Sequence, residues 1–233
     1  MKKSDTMKFH SIHLSILFLF AFPFCVWSQK YPTRVIENNY PLPAGKEVRL
    51  NLKFGTMIKV GVWDKRELGL KTTIMRSNPA MDTIHQLVVT QQEALSVTAD
   101  FRFRKGDHHN YQCWNCDEDR DDGCNCFRVS YEVMLPADAR LALETISGDI
   151  EIAGLRGPIS AKSISGFVDV SLDSRAASDV SLKSVTGEIY TDFDIKLDEN
   201  SSTFSKRLNR PLNGGGPKIA LETVSGDIYF RKM

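Results

Sequence analysis

Four cysteines close together in the middle of the chain carry the most concentrated chemistry of this sequence. They are Cys113, Cys116, Cys124 and Cys126, in the pattern C-x2-C-x7-C-x-C. In an exported protein such a group predicts disulfides, and the flanking strand patterns favour a hairpin that pairs Cys113 with Cys126 and Cys116 with Cys124. Cys124 and Cys126 share one face of a regular strand, whereas Cys113 and Cys116 lie on opposite faces. One strand must therefore bulge or turn if both disulfides form.

The same four thiols also fit a second interpretation, a tetrahedral zinc site. A C-x2-C pair can wrap a zinc ion, and two further thiolates arrive together at Cys124 and Cys126. His108 and His109 lie just before the cysteines and could replace a sulfur ligand. Zinc would have to bind before the thiols are oxidised outside the cytoplasm. Two disulfides and no cofactor are therefore the preferred prediction. A zinc site and reduced thiols remain as alternatives.

Alternating aspartates in this segment raise the question of a calcium site. Asp117, Asp119 and Asp121 offer the carboxylate oxygens that hard cations prefer. In the helix-loop-helix calcium pattern glycine stands sixth and glutamate twelfth, but here Gly123 is seventh and Arg128 is twelfth. A solvated acidic hairpin tip, which discourages pairing with other strands, accounts for the same residues and is preferred over weak calcium binding.

Residues for catalysis are few in this sequence. The histidines after residue 28 are His85, His108 and His109, and no serine has the setting of a nucleophile elbow. The Ser-Gly steps recur, and an enzyme needs one active serine whereas a repeated structure needs one in each copy. The sequence therefore predicts a protein that is not an enzyme. An enzyme acting on envelope polysaccharide is the least favoured alternative, since it needs a long binding groove.

The first 28 residues have the character of a secretory signal peptide. Three lysines precede an apolar run over residues 14–28, and Ser28 is small enough for the cleavage site. Cys25 follows a bulky Phe-Pro-Phe, whereas lipid modification requires small residues at those positions. Cleavage after Ser28 is therefore preferred to lipidation or an uncleaved anchor. This predicts export to the periplasm or the cell surface, with no transmembrane span after cleavage.

Composition excludes several classes of protein. The 233 residues are 42% hydrophobic and 25% charged, which is typical of a folded chain rather than a disordered one. Lys+Arg number 30 against 29 Asp+Glu, and the basic residues are scattered along the sequence. A net charge of +1 provides no field that would attract nucleic acid. The expected partner is a protein or a glycan of the cell envelope.

Apolar and polar residues alternate with period two in several segments after the signal. Residues 48–54, 57–63 and 127–135 show the pattern of strands that bury one face. Residues 87–90 and 95–98 predict two strands of a hairpin around a turn at 91–94. No segment has a convincing helical period, so the mature chain is predicted to be all-β.

Four copies of one motif fill the C-terminal part of the sequence, at residues 143–152, 161–170, 182–191 and 221–230. Their central glycines are Gly148, Gly166, Gly187 and Gly226, at spacings of 18, 21 and 39 residues. The parity of apolar residues flips at each glycine, which requires a bulge or bend that a Cβ would oppose. The residues just before these glycines, which can bond the freed backbone and stack from copy to copy, are Ser147, Ser165, Thr186 and Ser225. The pattern predicts a β-solenoid-like stack of coils of about 20 residues, with residues 192–218 as a loop or a degenerate coil.

These features resemble a known family. The Leu135-Pro136 strand exit, the four Ser/Thr-Gly steps and the opening segment FGTMIKVGVW at 54–63 are similar to the bacterial adhesin family DUF4097, also named toast-rack. The resemblance covers roughly residues 48–230, and the Leu-Pro exit and signal are similar to those of Bacteroidetes members. It implies an exported or membrane-tethered β-solenoid-like domain, active in adhesion or as a scaffold at the envelope, with no established catalytic residues. The cysteine-rich insert departs from the family pattern.

The sequence thus predicts a signal peptide over residues 1–28 and a single all-β adhesin-like domain over residues 29–233. Within the domain we expect a cysteine-rich hairpin insert at 107–127 and the repeat region at 141–233. The preferred function is a non-catalytic adhesin or scaffold module of the envelope. The alternative is a metal-responsive or redox-responsive binding module in which the cysteine hairpin is the working part.

Overall fold

The computed structural model describes residues 33–76, 84–102, 112–113, 125–195 and 206–233. These residues form seventeen strands and no helix, which confirms the prediction of an all-β chain. The predicted signal peptide and most of the cysteine-rich insert lie outside the described residues. The described part contains no helix long and apolar enough to cross a membrane.

The strands form two mixed sheets. The first sheet contains, from edge to edge, β1 (Thr33–Pro41), β4 (Glu67–Arg76), β8 (Asn125–Pro136), β3 (Met57–Trp63), β10 (Asp149–Ala153), β12 (Val168–Leu172), β17 (Ile228–Lys232) and β14 (Ile189–Thr191), with the short β7 (Gln112–Cys113) beside β8. The second sheet contains β15 (Lys206–Leu212), β13 (Ser178–Ser184), β16 (Lys218–Ser225), β11 (Ile159–Ser165), β9 (Arg140–Ser147), β2 (Glu47–Asn51), β6 (Ala94–Arg102) and β5 (Ile84–Gln91). Strands β5 and β6 are antiparallel neighbours, which confirms the predicted hairpin.

The buried faces of the two sheets share one hydrophobic core. Alternate residues along each strand are buried, such as Leu141 and Leu143 in β9 and Ile150 and Ile152 in β10. In parallel neighbouring strands these residues lie in register, so that chemically similar side chains stack from strand to strand. The period-two pattern of the sequence therefore marks the face of each strand that enters the core.

The Ser/Thr-Gly step of each repeat is the corner between the two sheets. The strand before the glycine lies in the second sheet and the strand after it lies in the first. Burial shifts parity at this corner, from Leu143 and Thr145 before Gly148 to Ile150 and Ile152 after it. The flip in the sequence pattern therefore corresponds to the chain turning from one sheet into the other.

The glycines of these corners form a column. A Cβ on Gly148 would overlap the carbonyl oxygen of Gly55, and the same contact leads from Gly166 to Gly148, from Gly226 to Gly166 and from Gly187 to Gly226. The φ angles of Gly148 and Gly166 are 133° and 140°, a region that side chains disfavour. Gly187 lies outside this region, so its position requires glycine because of the close backbone approach alone.

Buried hydroxyl groups hold the carbonyl oxygens of this column. Ser163 donates to the carbonyl oxygen of Gly148 at 3.2 Å, Thr223 to that of Gly166 at 3.0 Å and Ser184 to that of Gly226 at 2.9 Å. These hydroxyls stand three residues before the glycine of their own repeat, whereas the sequence pattern predicts this role for the residue directly before it. Among those predicted residues, Thr186 does donate to the backbone, at the carbonyl oxygen of Val224. Ser147, Ser165 and Ser225 do stack in register, but their side chains are exposed at the corner.

A substitution at Thr223 tests the buried hydroxyls. Thr223→Val keeps the side-chain shape but removes the donor to a carbonyl oxygen that water cannot easily reach, so we expect a loss of about 1–3 kcal/mol in the free energy of unfolding. Thr186→Val is the matched control. Its hydroxyl donates to the carbonyl oxygen of Val224 at 2.9 Å but is exposed, so water can replace it and a loss under about 0.5 kcal/mol is expected. If urea unfolding gave the same loss of free energy for Thr223→Val and Thr186→Val, the stabilising role of the buried hydroxyls would be contradicted.

The repeats do not stack in the order in which they occur in the chain. The fourth repeat, β16 and β17, lies between the second repeat, β11 and β12, and the third repeat, β13 and β14. Strand β15, which lies in the long interval between the third and fourth repeats, pairs antiparallel with β13 at the edge of the second sheet. The C-terminal repeat is therefore an interior part of both sheets rather than an end.

Candidate functional site

The outward face of the first sheet carries one side-chain row that crosses all eight main strands in register. From the β1 edge to the β14 edge this row is Glu37, Lys71, Glu132, Lys59, Glu151, Asp169, Tyr229 and Tyr190. Cross-strand neighbours on one face lie close enough to interact, so the chemistry of this surface is ordered along the row.

Ion pairs organise the charged part of the row. Lys71 pairs with Glu132 at 2.9 Å and Lys59 pairs with Glu151 at 3.0 Å. The hydrogen bond to Glu132 raises the pKa of the Lys71 ammonium. Alternating charge suits adjacent strands, because opposite charges placed side by side attract and like charges repel.

The row ends in a cluster of aromatic rings, which we name the tyrosine face: Phe167, Tyr190, Tyr229 and the adjoining Arg231. The rings of Tyr190 and Tyr229 are stacked, with centroids 5.2 Å apart and planes inclined by 13°. Phe167 meets Tyr229 edge to face at 5.9 Å, and the Arg231 guanidinium lies 5.1 Å from the centre of the Tyr229 ring. Tyr190 is 50% exposed although it belongs to this cluster.

Carboxylates surround the tyrosine face and fix its geometry. Asp227 accepts a hydrogen bond from the Tyr229 hydroxyl at 3.3 Å and another from the backbone N–H of Glu188 at 2.8 Å. Asp149 accepts in the same way from the backbone N–H of Phe167 at 3.0 Å. The aspartate of the Ser-Gly-Asp step therefore ties its own strand to the next one, which explains its recurrence in structural terms.

Asp169 is the most desolvated carboxylate of this surface. Its side chain is 16% exposed and pairs with Arg231 at 2.6 Å through one oxygen, while the other oxygen, Oδ1, is buried without a hydrogen-bond partner. Burial raises the pKa of Asp169, and the charge of Arg231 opposes that rise. Partial burial, with the charge of Asp227, also raises the pKa of the Tyr229 hydroxyl. Asp169 Oδ1 is thus shielded from solvent, and the Arg231 guanidinium, about half exposed, is the accessible partner of this ion pair.

A shallow groove continues from the tyrosine face across the sheet. Small residues form its floor, at Ser171 of β12, Ala153 of β10 and Gly61 of β3. Asp169 and Glu151 line one side of it, and Met134 of β8 lies at its far end. The tyrosine face and this groove together span six neighbouring strands, which corresponds to about 24 Å at the usual strand spacing.

The arrangement offers a surface suited to binding. The tyrosine face holds no cysteine, serine or histidine that could act as a nucleophile with an adjacent base. Among the described residues, no three His, Cys, Asp or Glu side chains are grouped to hold a metal ion. Exposed rings, a guanidinium and fixed carboxylates offer surface for stacking and hydrogen bonds.

Comparison with known proteins gives two similar solved structures. A proposed cell adhesion protein from Clostridium sporogenes is 11% identical, with a TM-score of 0.49, and the match covers 88% of this chain and 100% of that one. A proposed adhesin from Bacteroides fragilis is 10% identical, with a TM-score of 0.20, over 86% of this chain and 97% of that one. No family model and no curated protein matches the sequence.

The predicted cysteine site is described only in part. Cys116 and Cys124 lie outside the described residues, as do His108 and His109 and the three aspartates of the insert. The backbones of Cys113 and Cys126 are described, and they lie opposite each other where β7 pairs with β8. These two strands run parallel, whereas the strands of a simple hairpin are antiparallel.

The tyrosine face was not predicted from the sequence, although its signal was present. Glu151, Asp169, Tyr190 and Tyr229 all stand three residues after the glycine of their repeats, a position that points outward once the parity flip is known. Aligning the four repeats on their glycines therefore places these side chains in one row. What the alignment cannot show is that Tyr190 and Tyr229 are neighbours, because the repeats are not stacked in chain order.

Proposed function

We propose that this chain is a non-catalytic, exported binding module of the bacterial cell envelope, an adhesin or scaffold of the DUF4097 type. The observation that carries the proposal is the tyrosine face, where a half-exposed ring stands on a rigid sheet surface that is otherwise occupied by paired charges. Exposed aromatic residues fixed by a scaffold are typical of recognition surfaces. The signal-like leader supports delivery of this surface to the outside of the cytoplasm.

The repeat region supports a β-solenoid-like description within this proposal. Each repeat contributes one strand to each sheet, and successive coils in space pair in parallel with matched register. Stacked coils of this kind form stiff, extended surfaces on which outward positions are repeated at the strand spacing. Such a scaffold suits a protein that presents side chains without moving them.

A second candidate function rests on the cysteine-rich insert. Cys113 and Cys126 are register partners in adjacent strands, a separation that a disulfide can bridge. This favours a Cys113–Cys126 disulfide, with Cys116 and Cys124 left to pair with each other. In the alternative, all four cysteines stay reduced and hold a zinc ion. The insert would then make binding sensitive to redox state or to zinc.

Two measurements on the full chain test these proposals. The intact mass of protein recovered from the envelope, without reductant, should show a chain that begins at Gln29 and lacks four hydrogens because of two disulfides. One zinc ion in the native mass, with the full count of thiol hydrogens in the denatured mass, would favour the second candidate. The recovered protein should also sediment with insoluble envelope material in a saturable manner. Absence of sedimentation, or a leader retained on cytoplasmic protein, would contradict the envelope module.

A further inference from the structure

We infer that the outward face of the second sheet binds a second copy of this chain. This face is formed by β9, β11, β16 and β13, which lie side by side in that order, and we name it the four-strand face. The two copies are related by a twofold axis that runs along the strands, between β11 and β16. Strand β9 of one copy then faces β13 of the other. This contact does not depend on the proposed envelope function.

Side chains on the four-strand face lie in four rows that cross the strands in register. Alternate residues of each strand are buried in the core, so the residues between them point outward. A twofold axis along the strands reverses the order within each row and places the row opposite its own copy. In the order β9, β11, β16, β13, and toward the glycine corners, the successive rows are Arg140, Pro158, Lys218 and Asp179; Ala142, Ser160, Ala220 and Ser181; Glu144, Lys162, Glu222 and Lys183; and Ile146, Ile164, Val224 and Val185.

The row nearest the glycine corners is an exposed apolar stripe. Ile146, Ile164 and Val224 are 39%, 45% and 37% exposed, and Val185 continues the stripe. Exposed large apolar side chains number seven among the described residues, and three of them lie in this row, which marks it as a contact surface. In the dimer Ile146 faces the other copy's Val185, and Ile164 faces the other copy's Val224. The whole stripe then leaves water.

The adjoining row is complementary in charge to its own reversed copy. Glu144, Lys162, Glu222 and Lys183 alternate in sign across the four strands. Reversal places Glu144 opposite the other copy's Lys183, and Lys162 opposite the other copy's Glu222. Glu144 has no ion pair among the described residues of its own chain, so the other copy supplies a partner. A shift of the axis by one strand would place Glu222 on itself, so the charges select this one register.

The row farthest from the glycine corners gives the same match. Arg140 and Asp179 stand at its two ends, and neither has an ion-pair partner among the described residues of its own chain. The twofold axis places each opposite the other. An axis across the strands would instead place Arg140 opposite Ile146, and so set a charge against the apolar stripe. Between these rows lies the row of alanines and serines, which lets the two faces approach closely.

The footprint of the contact is that of a weak dimer. It extends about 20 Å along the strands and, with β2 and β15 facing each other across the axis, about 24 Å from the first strand to the sixth. No like charges meet at these flanks, since Asn51 faces Arg207 and Arg49 faces Asn209. Protein interfaces of this size are at the small end of the range. Both tyrosine faces remain on the outer sides of the four-layer stack.

Sedimentation velocity of the full chain, at about 1 to 200 µM, tests the contact. We expect a concentration-dependent dimer with a Kd on the order of 10 µM. Ile164→Asp, which puts a charge into the apolar stripe, should weaken the dimer at least about tenfold. Val88→Asp is the matched control, because Val88 is 46% exposed on the same sheet but lies on β5, two strands beyond the contact. Equal thermal melting of both variants would establish that they are folded.

A charge exchange tests the twofold axis itself. Arg140→Asp alone and Asp179→Arg alone each set like charges opposite one another and should weaken the dimer about fivefold to tenfold. The double variant restores opposite charges and should recover the dimer, which a general loss of stability would not allow. A monomer at all concentrations, or a dimer that Ile164→Asp leaves unchanged, would overturn the four-strand face. A double variant no better than the single ones would overturn the axis. Loss of the dimer on Tyr190→Ala, with Ile164→Asp unaffected, would move the contact to the first sheet.

Discussion

Gly148→Ala is expected to lower the free energy of unfolding by about 4 kcal/mol, through backbone strain and steric overlap together. The φ angle of 133° disfavours any side chain, and the new Cβ would overlap the carbonyl oxygen of Gly55, between β2 and β3. The next residue, Thr56, donates its backbone N–H to the carbonyl oxygen of Val129 at 2.7 Å, so this backbone cannot move without disturbing the sheet corner. Equilibrium unfolding in urea, followed by tryptophan fluorescence, measures the loss.

Two other glycines separate the causes of this loss. Gly45 has a φ of 77° and open space around its Cβ position, so Gly45→Ala should cost only about 1 kcal/mol from backbone strain. Gly187 lies outside the positive-φ region, but its Cβ would overlap the carbonyl oxygen of Gly226. Gly187→Ala should therefore report the steric part alone and fall between the other two. If Gly45→Ala cost as much as Gly148→Ala, the close approach of the corners would not be the cause.

Phe230→Ala is expected to cost about 3–5 kcal/mol, because it removes a large buried ring and leaves a cavity. Phe230 is fully buried in β17, and its ring lies 4.8 Å from that of Phe193. β17 pairs with β12 on one side and β14 on the other, so the surrounding sheet cannot collapse easily into the space. The loss should appear as a lower midpoint of urea unfolding.

Tyr229→Ala is the control for this second prediction. Tyr229 is the preceding residue of β17 and has a ring of similar size, but it points to the outward face. Its removal loses the contacts with Tyr190 and Phe167 and should cost about 1 kcal/mol. If Tyr229→Ala lowered the free energy of unfolding as much as Phe230→Ala, the assignment of Tyr229 to the outward face and Phe230 to the buried face would be wrong.

Local features of the fold can be predicted from the sequence, because the alternation of apolar and polar residues depends only on neighbouring positions in the chain. The strand at 57–63, the hairpin of β5 and β6 and the parity flip at Gly148 all follow from alternation and from the position of glycine. The hydrogen bond to the corner backbone was predicted for the residue directly before each glycine, such as Ser225. Thr223, two residues earlier, makes it instead, because a hydroxyl three residues before the glycine reaches the neighbouring repeat and Ser225 is exposed.

The arrangement of the repeats could not be predicted in the same way. Residues 161–170, 182–191 and 221–230 carry nearly the same pattern, so each can pair with any of the others. The choice depends on long-range contacts, such as β15 covering β13 and Lys183 pairing with Glu222 at 2.6 Å. The tyrosine face depends on that choice, because Tyr190 meets Tyr229 only when the fourth repeat lies beside the third.

The interior place of the C-terminal repeat affects the order in which the chain can fold. A chain that emerges from its N-terminus, at the ribosome or across a membrane, delivers β13 and β14 before β16 and β17, yet the earlier pair reaches its neighbours through the later one. The third repeat must therefore wait, with its parallel partner absent, until residues 218–232 have emerged. During that interval β11 and β12 expose unpaired strand edges. A chaperone that shields strand edges would find its target in this interval, and a premature stop after β15 would prolong it indefinitely.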